Sequence, residues 1–140
     1  MNIKNIFAAL LFLATFAAGG SLMADPIDPY DLPQKSQDFL RKAFFYAMPI
    51  AVDRSSNGYE VMMNDNSIID LDQKGQWTNI VCMEGVPESV IPSRLRIYIK
   101  QRFEGQRVTR ISRTIDEYQI EMATGVTLFF DNDYRLTKVN

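Results

Sequence analysis

The chain has 140 residues, 46% of them hydrophobic, 23% charged and 11% aromatic, the make-up of an ordinary globular protein of one domain or two very small ones. It contains no histidine and a single cysteine, Cys82. Imidazole chemistry of every kind is therefore excluded, as is a disulfide or a thiolate zinc site within one chain.

Residues 1–24 carry one charge, Lys4, then the apolar run 6–16 and the small residues Ala17, Ala18, Gly19, Gly20 and Ser21. This is the layout of a secretory signal peptide, too short in its apolar part for a comfortable membrane span. Cleavage is expected after Ala24, with Gly20 as the alternative point and a retained anchor helix as the competing reading. No cysteine stands near the cleavage zone, which excludes a lipoprotein anchor. The mature chain is expected in the periplasm or secreted, without a membrane span. Loss of Lys4 takes its net charge from −2 to −3, which gives no footprint for nucleic acid. Cys82, between Val81 and Met83, is expected to be buried as a small hydrophobe, the alternative being a bond between chains.

The rest of the chain repeats itself at an offset of 59 residues without a gap, from Pro33/Pro92 through Phe44/Phe103 and Tyr59/Tyr118 to Thr78/Thr137. The expected layout is a signal peptide over 1–24, a first repeat over 25–83, a linker over 84–92 and a second repeat over 93–140. Each repeat opens on helical spacing: Ser36, Phe39, Leu40, Ala43, Phe44 and Ala47, then Leu95, Tyr98, Ile99, Arg102 and Phe103. Pro33 and Pro92 mark the entries, Asp31 with Gln34 resembles a capping box, and Pro49 and Gly105 end the helices. Strands follow, the first at 50–54 and 107–114. Tyr59, Val61 and Met63 alternate with polar positions, as do Tyr118, Ile120 and Met122, and further strands lie at 67–72, 76–82, 126–131 and 135–139.

The fold class that follows is α+β, a tandem duplication of a helix plus an antiparallel β-meander. The two helices pack on one face of a curved antiparallel sheet of up to eight strands. The other face is expected to carry the residues out of phase with the core: Glu60, Met62, Asp70, Trp77, Asn79, Gln119, Glu121, Thr127, Phe129 and Leu136. Apolar side chains set among charges in this way suit a protein-binding surface, and Met62, Trp77, Asn79, Glu121, Phe129 and Leu136 are its candidate contacts.

The run Tyr-x-Val-x-Met, a turn, then Ile-x-Leu-Asp-x-x-Gly-x-Trp resembles the repeat of PepSY-like domains, as do residues 86–103 with Val108, Ile111, Tyr118 and Ile120. The whole pattern is similar to the β-lactamase-inhibitor-like group of small exported bacterial proteins, from about Leu32 to Asn140. That resemblance implies a tandem α+β architecture and export. PepSY-type modules restrain secreted metalloproteases from within their propeptides, and the β-lactamase inhibitory protein binds its enzyme across a concave sheet. The second repeat departs from the group's turn, having Asn132-Asp133-Tyr134 where the first keeps Gly75.

No catalytic machinery is visible. Asp70-Leu-Asp72 starts like a calcium loop, but Lys74 and Val81 stand where oxygen ligands belong, so a hairpin turn is expected; Asp131-Asn132-Asp133 is at most a weak surface cation site. Ser55 and Ser56 lack a base, and the scattered glycines build no phosphate loop. Residues 94–113 hold seven cations against Glu104, whereas 25–81 hold nine acids against five bases. This segregation reads as a solvated surface, or as a contact for an acidic partner or for the acidic first copy of another molecule. The expectation is a non-enzymatic binding module with a protein partner, no cofactor and no metal, in its sharper form an inhibitor of a secreted or periplasmic hydrolase. The alternative is a periplasmic binder of a small molecule or envelope component, with a pocket between helices and sheet or between copies.

Overall fold

A computed structural model of the chain describes residues 24–140; the expected signal peptide lies outside them but for Ala24. Nine strands pair antiparallel strictly in chain order to form one open sheet. The short strand β1 (Asp25–Ile27) is followed by helix α1 (Gln34–Ala43) and by β2 (Pro49–Ser55), β3 (Gly58–Met63), β4 (Ile68–Leu71) and β5 (Trp77–Val81). Helix α2 (Ser93–Arg102) then precedes β6 (Val108–Arg113), β7 (Glu117–Met122), β8 (Thr127–Asp131) and β9 (Leu136–Val139). α2 and β6 to β9 each begin 59 residues after their counterparts in the first half.

The strand beyond the eight expected is β1, whose Ile27 pairs with Val52. It occupies on β2 the edge that β5 occupies on β6, where Ile80 pairs with Ile111. The β5–β6 pairing thus joins the copies into one sheet. Both helices cover the same side of it. Leu40, Ala43, Leu95 and Ile99 meet the row Val61, Ile69, Ile80, Ile111, Ile120 and Leu128 in a single core spanning both copies. Half of this core would leave each unit short of buried surface alone. Cys82 is a free, buried thiol.

Helix entry differs from the capping-box expectation. Asp31 sits in a single 3-10 turn, Pro29–Asp31, capped by Asp28, and α1 begins directly behind Pro33 with no side-chain cap. Proline presets a helical φ for the first turn, and α2 starts behind Pro92 in the same way. A buried side-chain bond secures α1 instead: the Ser36 hydroxyl donates to the Gly75 carbonyl at 2.7 Å.

The two candidate cation turns use their carboxylates on themselves. Asp72 Oδ1 accepts the N–H groups of Lys74 and Gln76, both at 2.9 Å, and Asp131 Oδ1 accepts those of Asp133 and Arg135, also at 2.9 Å. The third turn residue is left-handed in both copies, Gly75 at φ +82° and Tyr134 at φ +63°. A Cβ on Gly75 would stand 2.3 Å from Ser36 Oγ. The second copy has Leu95 in place of that serine, and Tyr134 packs its ring on Tyr118 with centroids 5.5 Å apart.

Candidate functional site: the helix-free sheet face

Strand pairing sorts the uncovered face into two rows that run across the strands. One row joins Asp53, Glu60, Asp70, Asn79, Ser112, Gln119, Phe129 and Lys138. The other joins Ala51, Met62, Ile68, Val81, Arg110, Glu121 and Thr127. Four of the candidate contacts, Met62, Asn79, Glu121 and Phe129, are brought together here. Trp77 and Leu136 are not.

The reason is one β-bulge, made twice. Asp70 pairs with Asn79 but Leu71 pairs with Trp77, which leaves Thr78 as the extra residue. Phe129 pairs with Lys138 but Phe130 with Leu136, which leaves Thr137 extra. Each threonine hydroxyl bonds back across the ladder, Thr78 to the Asp70 carbonyl at 3.3 Å and Thr137 to that of Phe129 at 3.2 Å. One inserted residue reverses the parity of everything before it in the strand. Trp77 therefore turns to the helix side, where it is 7% exposed and carries Arg113 over its ring at 3.8 Å. Leu136 goes to the same side, at the sheet's edge.

On the first copy's half, Asp53, Glu60 and Asp70 stand directly opposite one another on β2, β3 and β4. Like charges so paired repel. Burial pushes the Glu60 carboxyl up to about 7, with Asp70 and Asp53 adding to the rise. Burial raises Asp70 too, while Asn79 and Arg110 pull it back. The geometry of that restraint is a relay across the seam between copies. Arg110 Nε donates to Asn79 Oδ1 at 2.8 Å, and Asn79 Nδ2 donates to Asp70 Oδ2 at 3.0 Å. Glu121, buried and paired across the strands with Arg110, is raised by burial and lowered by that cation. Among the described residues no group of three or more Asp, Glu and Cys is placed to hold a metal ion.

Beside the carboxylates runs an apolar row of Ala51, Met62, Ile68 and Val81, in which Met62 is 38% exposed. The second copy does not repeat either feature. In place of Asp53, Glu60 and Asp70 it has Ser112, Gln119 and Phe129, and in place of Ala51, Met62 and Ile68 it has Arg110, Glu121 and Thr127. Phe129 is half-buried under Lys138, whose Nζ lies 5.3 Å from the ring centroid. Sequence reading missed Ala51, Asp53, Ile68, Val81, Arg110, Ser112 and Lys138. Extending the parity of β3 across its neighbours, strand by strand, would have found Ala51, Asp53 and Ile68.

A sheet with helices on one side, its other side free, and the whole unit built twice in tandem defines the class: a duplicated helix-and-meander protein with an open face. The chain belongs to the family described as "Putative beta-lactamase-inhibitor-like, PepSY-like", whose model matches residues 25–77 and again 57–138. Solved structures agree with the fold. One is described as a "putative calcium-regulated periplasmic protein" from Bacteroides thetaiotaomicron; it is 24% identical, has a TM-score of 0.80, and the match covers 84% of this chain and 96% of that one. Two more, each described as a "putative periplasmic protein" from Bacteroides vulgatus and each 22% identical with a TM-score of 0.80, match over 84% of this chain and 96% and 98% of their own. No curated protein matches. No helix among the described residues is long and apolar enough to cross a membrane.

Proposed function

We propose that the protein is an exported, periplasmic, non-enzymatic binding module that engages another protein through the helix-free face of its sheet. The observation that carries this reading is the pairing of two rows on the first copy's half: three directly opposed carboxylates and, one step along the strands, an apolar row in which Ala51 and Met62 are exposed and Ile68 and Val81 half-buried. Neither row serves the core, which lies on the opposite side. The partner surface that fits presents basic side chains to Asp53, Glu60 and Asp70 and apolar ones to Met62 and Ile68. Inhibition of a periplasmic hydrolase is the sharper form of the proposal; its support is the family likeness. Periplasmic residence is supported by the three structural neighbours.

Affinity capture from native periplasm, with the wild type and Met62→Asp side by side, tests this. Met62→Asp adds a fourth carboxylate to an exposed position and leaves the core untouched, so the expected result is loss of the specific partner by a protein that stays folded, its thermal midpoint lowered by only a few degrees. High salt is expected to reduce the wild type's recovery, because exposed charge contacts are screened. Equal recovery by both proteins would refute the assignment of the face.

A further inference from the structure

On the other side of the molecule a cavity of about 320 Å³ opens between α2, the linker before it and the loop into β6. Its size is at the lower end of small-molecule pockets, which span about 300–1,000 Å³. Buried Val86, Ile99 and Val108 give it an apolar wall, and Arg96, Lys100 and Arg107 bring three cations against one acid, Glu88.

The first copy fills the equivalent positions differently. Gln37 stands where the second copy has Arg96, and its amide is spent on structure, donating to the carbonyls of Tyr30 and Leu32, both at 2.9 Å. Arg96 has no such role: its Nε is shut off from solvent with no acceptor among the described residues. A buried donor left unpaired is costly and calls for a partner. Where the first copy has Tyr46, whose ring leans on Phe44 with centroids 6.3 Å apart, the second has Gly105, and a Cβ added there would meet no atom within 4 Å. Met48 is matched by Arg107. Of these three exchanges one removes a ring and two introduce charge around one space.

We propose that this cavity binds a small organic anion with an apolar body. Arg96, Lys100 and Arg107 hold its carboxylate or phosphate head, and its hydrocarbon part lies against Val86, Ile99 and Val108. The planar guanidinium groups of Arg96 and Arg107 suit either head group, since both accept two parallel N–H bonds. The inference is independent of the sheet face.

The test is calorimetric titration of the mature chain with octanoate and octyl phosphate, with octanol and inorganic phosphate as the tail and head alone. Saturable binding of octanoate, octyl phosphate or both is expected, at least tenfold tighter than either fragment, and the stronger of the two identifies the head group. Arg96→Gln, which installs the first copy's residue, is expected to weaken binding at least tenfold without lowering the thermal midpoint. Arg107→Met is expected to act in the same direction, and Met62→Asp on the far face to change nothing. The proposal is overturned if neither amphiphile binds saturably. It is equally overturned if inorganic phosphate binds as tightly as octyl phosphate, or if Arg96→Gln and Arg107→Met both bind like the wild type.

Discussion

Glu60 offers the most direct handle on the open face. Its carboxyl is raised from 4.5 to about 7, so the folded chain holds this proton more tightly than the unfolded chain does. Between those two values the native state binds more protons, and stability must fall as pH rises. The contribution is fully present below about 4.5 and lost once pH has passed through about 7. At 1.36 kcal/mol per unit the full shift would correspond to about 3 kcal/mol; the carboxyl is only part-buried, and solvent screening reduces this to about 1–2 kcal/mol. Raised Asp70 and Glu121 act with the same sign.

Glu60→Gln is therefore expected to stabilise the protein above pH 7.5 by about 1–2 kcal/mol and to be nearly neutral at pH 4.5. Urea unfolding at pH 4.5, 6, 7 and 8 measures it, with an expected rise in midpoint at pH 8 of about 0.5–1 M for an m-value of about 2 kcal/mol/M. A wild type whose stability is flat from pH 4.5 to 8, or a variant that tracks it throughout, would refute the reasoning. The same titration bears on binding. A partner that brings cations to Asp53, Glu60 and Asp70 expels the proton from Glu60, so its affinity is expected to rise from pH 5 to 8 and to lose that dependence in Glu60→Gln.

Trp77 is the only tryptophan, so its fluorescence reports the bulge directly: blue-shifted emission resistant to iodide is expected, and red, readily quenched emission would place it on the open face. Gly58 at φ +136° has the Leu71 carbonyl oxygen 2.0 Å from where a Cβ would sit, so Gly58→Ala is expected to lower unfolding free energy by on the order of 3 kcal/mol in urea melts. Burial pushes the Cys82 thiol up, and a soluble disulfide reagent is expected to label it at the rate of unfolding; rapid labelling of the native protein would contradict its placement in the core.

Periodicity made most of the architecture legible. The offset of 59 residues places both helices and four strands per copy, because a duplicated core must fill the same space twice: Val61/Ile120, Ile69/Leu128 and Met63/Met122 keep their class. What periodicity missed has physical causes. β1 is three residues containing a proline, too short to show alternation, and exists only because β2 offers an unpaired edge. The bulges at Thr78 and Thr137 carry no local signature, since threonine is an ordinary strand residue whose hydroxyl here bonds back to a carbonyl. The apolar, polar and charged residues all looked correctly phased, and a single extra residue moved Trp77 to the opposite face. Four of the six candidate contacts share the open face because they precede or follow the bulges in a regular ladder.

The two copies also separate what folding requires from what it leaves free. Along the sheet's helix-side row the pairs agree in chemistry, as in Val52/Ile111, Val61/Ile120 and Ile69/Leu128. The turn carboxylates Asp72 and Asp131 agree as well, since each closes its own loop. Two groups of exchanges change the charge of one surface each. On the open face Asp53, Glu60 and Asp70 become Ser112, Gln119 and Phe129; around the cavity Gln37, Tyr46 and Met48 become Arg96, Gly105 and Arg107. Each divergence introduces a strain the other copy shows to be avoidable, opposed carboxylates in the first case and a buried unpaired guanidinium N–H in the second. A scaffold that demonstrates the relaxed alternative within the same chain gives those two features no structural purpose. The acidic face calls for a cationic surface and the basic cavity for a small anion, so the two sites are predicted to discriminate their ligands by sign before any shape is read.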